Sequence, residues 1–79
     1  MFVSLNKNIW LYEWITHKWM DEVTKIVAED FQYVDKRNLR QQLSILLNEK
    51  GYQAHLTSTN DIIIAMKETD YAFLRLKYE

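Results

Sequence analysis

Glu13, His17 and Asp21 are the residues whose types and spacing come closest to a chemical site in this 79-residue chain. They recur every four residues, so on a helix their side chains line one stripe. A histidine and a carboxylate one turn apart can chelate zinc or nickel, but a stable site needs three or four ligands, and only the histidine is a strong zinc ligand here. The pattern therefore favours exposed charge pairing, and we predict no metal and no cofactor.

Nucleophilic and phosphate-binding chemistry lack their usual motifs. Ser4, Ser44 and Ser58 belong to different segments without a Gly-x-Ser-x-Gly turn, and one glycine cannot build a glycine-rich phosphate loop. The absence of cysteine from the sequence excludes a thiolate nucleophile, a cysteine metal site and a disulfide. The sequence therefore predicts a protein that is not an enzyme and has no small-molecule substrate.

Trp10 and Trp14 stand out because they project away from the apolar stripe of the helix that carries them. Clustered tryptophans with a charged rim are typical of an interaction hot spot. The alternative is a helix buried on two sides, with the N-terminal arm or the last strand covering both rings. We predict a face that binds a protein partner or a second copy, and expect Trp14→Ala to weaken association without unfolding. The face comprises Trp10, Glu13, Trp14, His17 and Asp21.

Residues 35–51 form the one positive segment, with four basic and two acidic residues. Their outward face carries side chains of the types that contact phosphates and base edges, namely Lys36, Arg37, Arg40, Gln41, Ser44 and Asn48. A helix of this kind followed by a β-hairpin resembles in outline the recognition helix and wing of a winged helix-turn-helix domain, which implies nucleic-acid binding. Such domains present three helices before the wing, whereas this sequence predicts two. The alternative is the solvated side of an amphipathic helix.

Two helices are predicted to position these residues. The first runs from about Asn8 to Asp30, and the second from an N-cap at Asp35 to about Lys50. Val34 and Leu39 are spaced as a hydrophobic staple, and Gly51 stands where a left-handed C-terminal cap is needed. The core stripe of the first helix is Leu11, Tyr12, Ile15, Trp19, Val23 and Ile26, and that of the second is Leu39, Leu43, Leu46 and Leu47.

After Gly51 the hydrophobic period changes to two. Strands are predicted at residues 52–57, 62–67 and 71–78, separated by turns at 58–61 and 68–70. The fold class is therefore α+β, with two helices packed on one face of a three-stranded antiparallel meander. Residues 2–5 are a candidate for an additional short N-terminal strand.

Composition and charge set the remaining bounds. Apolar residues make up 48% of the chain, with one glycine and no proline, as in a folded domain rather than a linker. The net charge of −1 gives no general attraction to nucleic acid or anionic lipid. No apolar run is long enough to span a bilayer, and no signal-peptide pattern is present. We expect a single domain over residues 1–79, no membrane association, and a cytoplasmic location, in the host cell if the protein is viral.

These patterns favour a non-catalytic small binding protein, a regulator or inhibitor that occludes a larger protein through the tryptophan face. A nucleic-acid-binding transcriptional regulator is the alternative, and a subunit of a larger assembly is the third hypothesis. A small domain without a pocket or cofactor motif resembles the host-directed proteins that phages and mobile elements encode, which implies a protein partner.

Overall fold

The computed structural model describes residues 1–30 and 36–79. It confirms the α+β fold with a three-stranded antiparallel sheet, but the sheet is not the predicted meander of consecutive strands, and the described residues form four helices instead of two. The elements differ from the prediction at the C-terminus and within the first helix. In chain order they are β1 (Phe2–Ser4), α1 (Trp10–Lys18), α2 (Met20–Asp30), α3 (Lys36–Glu49), β2 (Gln53–Leu56), β3 (Ile62–Ala65) and α4 (Glu68–Tyr78).

The central strand of the sheet is β3, with β1 and β2 antiparallel on either side. Its run of isoleucines suits a position with neighbours on both edges, where β-branched side chains pack well. Both Val3 of β1 and Ala54 of β2 lie opposite Ile64, so the three side chains share one face. Val3 and Ile64 are buried in the core. The short N-terminal strand is thereby confirmed, and it supplies the third strand of the sheet.

The strand predicted at residues 71–78 is wrong, because Glu68–Tyr78 form helix α4. Apolar residues in this segment satisfy both periods: Ala72, Leu74 and Leu76 alternate as in a strand, while Tyr71, Leu74 and Tyr78 lie on one stripe of a helix. The helical stripe is the one that packs against the core. The turn predicted at 68–70 is the first turn of this helix.

The charges of α4 also suit a helix. Glu68 and Asp70 lie in its first turn, and Arg75 and Lys77 in its last. Acidic groups near the N-terminus and basic groups near the C-terminus interact favourably with the helix dipole.

The single helix predicted over residues 8–30 is broken at Trp19, whose backbone angles are φ −129° and ψ 50°. Backbone hydrogen bonds continue on both sides of the break. The Trp19 N–H donates to the Ile15 carbonyl and the Val23 N–H donates to the Trp19 carbonyl, each over 3.0 Å. The predicted core stripe survives: Leu11, Ile15 and Val23 are buried, and Tyr12, Trp19 and Ile26 pack half-buried against them.

The end of α3 follows the prediction closely. Gly51 has φ +95°, in the left-handed region that favours glycine. The Tyr52 N–H donates to the Leu47 carbonyl over 3.0 Å and the Gly51 N–H to the Asn48 carbonyl over 3.1 Å, which is the pair of bonds of a Schellman cap. Leu43, Leu46 and Leu47 are buried as predicted, and Leu39 is half-buried. The predicted connection over 31–34, the Asp35 cap and the Val34 staple lie outside the described residues.

The described elements pack in a continuous series, in which α4 contacts α1, α1 contacts α2, α2 contacts α3, and α3 contacts β2. A salt bridge of 3.1 Å joins the Lys50 ammonium after α3 to the Glu22 carboxylate of α2. A hydrogen bond from the Glu22 backbone N–H and the bond from Lys50 both stabilise the charged carboxylate, so the pKa of Glu22 lies below its ordinary value.

Gly51→Ala should lower the free energy of unfolding by about 1–2 kcal/mol, because an L-residue is strained at positive φ. A Cβ at this position has nothing within 4 Å, so no clash adds to that strain. Gly51→Asn is the matched control, and its loss should be smaller because asparagine tolerates the left-handed region. Chemical denaturation measures both variants. Equal losses for alanine and asparagine would contradict the assignment of the effect to backbone strain.

Lys50→Met should raise the pKa of Glu22 part of the way toward its ordinary value, because one of the two stabilising hydrogen bonds is lost. NMR titration of the side-chain carboxyl measures this, with Lys7→Met as a control for lost positive charge. Because the pKa is lowered in the folded state, the stabilisation is present above the unfolded pKa and is lost as pH falls through the folded pKa. A Glu22 titration that is identical in Lys50→Met and wild type would refute the assignment.

Candidate functional site

Trp14 is not on an exposed face. It is only 3% exposed and packs edge-on against Trp19 and Tyr52, with ring centroids 5.6 and 5.4 Å away. The physical reason is that α1 is covered on two sides, by these rings on one and by α4 on the other. The predicted exposure of Trp14 is therefore wrong, and its removal is now expected to lower stability.

Trp10 is half-buried rather than exposed. Its ring lies 5.7 Å from that of Tyr71 in α4. The Tyr71 hydroxyl in turn donates to the Asn8 side-chain oxygen over 3.0 Å. The alternative weighed from the sequence, a helix covered on two sides, therefore holds for both tryptophans. Tyr71 of the C-terminal segment, which is a helix instead of a strand, covers Trp10, whereas Trp19 and Tyr52 cover Trp14.

Lys18 lies over the aromatic cluster that Trp14, Trp19 and Tyr52 form. Its ammonium is 5.3 to 6.0 Å from the three ring centroids, within the range of cation–π attraction. The three rings contact one another edge to face. The cluster therefore serves to pack the junction of α1 and α2 beneath a lysine of the same chain.

An open groove of about 690 Å³ runs between α1 and α4. Glu13 and His17 of the predicted binding set line it and are exposed, and Trp14 forms part of its wall. The His17 ring lies 5.8 Å from that of Tyr78, and Lys77 adds a positive charge on the α4 side. The structure thus brings together three of the five predicted residues. Trp10 faces Tyr71 instead, and Asp21 is exposed on α2 outside this groove.

The outer stripe of α4 is the largest feature that the sequence analysis missed. It comprises Thr69, Ala72, Phe73 and Leu76, all exposed. Phe73 is 68% and Leu76 is 89% exposed, and within the described structure no α4 side chain is fully buried. The four residues follow the helical spacing i, i+3, i+4, i+7, on the side away from Tyr71, Leu74 and Tyr78. That spacing is present in the sequence, but it was obscured by the strand-like alternation of the same segment.

Two side chains of the predicted nucleic-acid face of α3 bind the adjoining hairpin instead. The Arg37 guanidinium donates to the Thr57 carbonyl and to the Asn60 side-chain oxygen in the β2–β3 turn. The Asn48 amide donates to the Ala54 carbonyl over 2.8 Å and accepts from the Ala54 N–H over 3.0 Å. Asn48 therefore satisfies the backbone of an edge strand that would otherwise have unpaired groups.

The rest of this predicted face is only partly open. Ser44 is buried and donates to the Gln41 carbonyl over 2.8 Å, so its placement on an outward face was wrong. Arg40 is half-buried and Gln41 is exposed. The side chain of Lys36 lies outside the described residues. The structure therefore does not assemble the predicted set as one open basic surface.

Among residues 1–30 and 36–79, no three His, Asp or Glu side chains lie together as a metal site would require. None of the described helices combines the length and apolar character needed to cross a bilayer.

Comparison of the chain with protein-family models, curated proteins and solved structures found no match.

Trp14→Ala should lower the free energy of unfolding by about 3–5 kcal/mol, because it removes a large buried ring and leaves a cavity. Phe2→Ala, at a ring that is 77% exposed on β1 and lies outside the α4 surface, is the matched control. It deletes an exposed aromatic ring and should change the free energy of unfolding by no more than about 0.5 kcal/mol. Urea denaturation of both variants measures the difference. Trp14→Phe, a milder truncation, keeps the comparison possible if the alanine variant does not fold. Equal stability of Trp14→Phe and wild type would contradict the packing role.

Proposed function

We propose that this protein is a non-catalytic binding protein that acts by protein–protein contact through the outer stripe of α4. The observation that carries the proposal is the exposure of Phe73 and Leu76 on adjacent turns of a helix whose other side is already packed on α1. Exposed apolar side chains grouped in this way mark interaction surfaces, and aromatic residues are enriched at their energetic centres.

The groove between α1 and α4 supports this proposal by supplying a polar rim beside the apolar stripe. Glu13 and His17 line its α1 side, and Lys77 lines its α4 side. An apolar centre with a polar, solvent-accessible rim is the usual composition of a protein interface. The proposed surface therefore retains Glu13 and His17 from the predicted set and replaces the two tryptophans with Phe73 and Leu76.

The two tryptophans lie beneath or beside the proposed surface, not on it. Trp10 packs against Tyr71 of α4, while Trp14 forms part of the groove wall and packs its ring on Trp19 and Tyr52. A binding protein without catalytic machinery changes the behaviour of a partner by occluding it. A regulator or inhibitor is therefore the role that we propose.

Nucleic-acid binding is the second candidate, and the helix count favours it. The break at Trp19 gives three helices before the β2–β3 hairpin, where the sequence predicted two, and β1 joins the hairpin to complete a small sheet. This is closer to the winged helix-turn-helix outline than the sequence indicated. The engagement of Arg37, Ser44 and Asn48 within the chain weighs against it, because fewer groups are left to contact phosphates.

Photo-crosslinking distinguishes the two candidates. Benzoylphenylalanine at position 73 should yield protein adducts in the cells that produce the protein, because the side chain at this position lies at the proposed interface. The same probe at position 41 on α3 is the matched control and should yield none. Circular dichroism of both variants checks that the fold is kept.

Two results would count against the proposed function. Adducts to nucleic acid from position 41, together with none from position 73, would favour the second candidate. Absence of any protein adduct from position 73 in a folded variant would remove the basis for the α4 surface as a binding site.

A further inference from the structure

We infer that the partner of the outer stripe of α4 is a second copy of this chain, bound so that the two α4 helices pack antiparallel about a twofold axis. This inference rests on the proposed function, since it names the occupant of the same surface. Symmetry of the stripe and charge complementarity along α4 carry it.

The stripe is symmetric along the helix. Its positions 69, 72, 73 and 76 are spaced identically when counted from either end. A twofold interface brings two copies of the same surface together in opposite directions. Because the spacing is the same from either end, each position of the stripe faces a stripe position of the other copy. Antiparallel pairing places Leu76 at the level of the partner's Thr69, and Phe73 at the level of the partner's Ala72. The small Ala72 side chain allows the two helix backbones to approach at the centre.

One flank of the stripe carries one acidic and one basic residue. Asp70 and Lys77 lie on the same side of the helix, two turns apart. Across a twofold axis each flank meets the same flank of the partner in the reverse direction. Asp70 therefore comes close to the partner's Lys77, and Lys77 to the partner's Asp70. A difference of two positions in level, about 3 Å along the axis, is within reach of a lysine side chain.

The opposite flank of the stripe carries Glu68 and Arg75. The same register brings Glu68 near the partner's Arg75, again with a difference of two positions in level. The Arg75 Nε already donates to Glu79 of its own helix. A guanidinium has five N–H donors, so it can bind a second carboxylate across the interface. Both flanks are thus complementary at once.

The alternative orientation is disfavoured by the same charges. In a parallel pair, the acidic first turns would meet each other and the basic last turns would meet each other. Like charges juxtaposed across an interface are repulsive and select against that partner geometry. The separation of acidic and basic residues along α4 therefore determines the direction of pairing.

Sedimentation equilibrium of purified variants tests the inference. Wild type should form dimers with a dissociation constant roughly in the micromolar range, because one short helix pair makes a small interface. Leu76→Asp should raise that constant at least tenfold by placing a charge in the apolar stripe. Lys7→Asp, which introduces the same acidic side chain away from α4, is the control and should dimerise as wild type does.

Charge-reversal variants test the antiparallel pairing directly. Asp70→Lys alone and Lys77→Asp alone should each weaken self-association. In either homodimer, positions 70 and 77 carry the same charge, and the twofold axis brings them together at two places. An equimolar mixture of the two variants should form a heterodimer. In that heterodimer one chain presents two lysines on this flank and the other presents two aspartates, so both pairs across the interface are of opposite charge. Circular dichroism of each variant checks that α4 remains helical.

The outcomes separate this inference from the proposed function. A wild type that stays monomeric at about 1 mM, roughly a thousandfold above the expected constant, while position 73 still crosslinks to a foreign protein, overturns the homodimer and leaves the proposed function standing. A dimer that is insensitive to Leu76→Asp and to charge exchange overturns the α4 geometry. A monomer whose position 73 gives no protein adduct overturns both.

Discussion

The apolar circumference of α1 is the constraint on which the rest of the structure depends. Leu11, Trp14 and Ile15 are buried in the core, while Trp10 extends the apolar surface of the helix to the side that faces Tyr71. A single sheet cannot cover both sides of a helix, so a second element is required. In this chain α4 provides it, by packing Tyr71, Leu74 and Tyr78 against α1.

Helix α4 covers the apolar surface of α1, but it exposes apolar side chains of its own on its outer side. Helix α4 packs one side on α1, and in the described chain its outer side stays uncovered. Phe73 and Leu76 remain exposed there. The sequence indicated an excess of apolar surface at Trp10 and Trp14. In the structure the exposed apolar surface lies on α4 instead of α1. This is why the proposed binding surface lies on α4, while Trp10 packs beneath it against Tyr71.

The junction of α3 with the hairpin shows a similar reassignment of polar groups. Arg37 and Asn48 have side chains suited to phosphates and base edges, but they satisfy backbone and turn groups of the hairpin. Buried or partly buried backbone groups need partners, and side chains that lie within reach supply them. Residue type alone could not distinguish these two uses, because the same donors and acceptors serve both.

The sequence by itself determined the features that depend on near neighbours in the chain. The C-terminal cap of α3 follows from one glycine with positive φ, the hairpin from β-branched runs around a turn, and the core stripe from the period of Leu11, Ile15 and Val23. Tertiary structure alone decided residues 71–78, whose apolar pattern suits a strand or a helix equally well. The helix is the form that presents Tyr71, Leu74 and Tyr78 together to α1, and that need is set by residues at the far end of the chain. The burial of Trp14 and the exposure of Phe73 follow from this choice, so the candidate site could be predicted only in part, at Glu13 and His17.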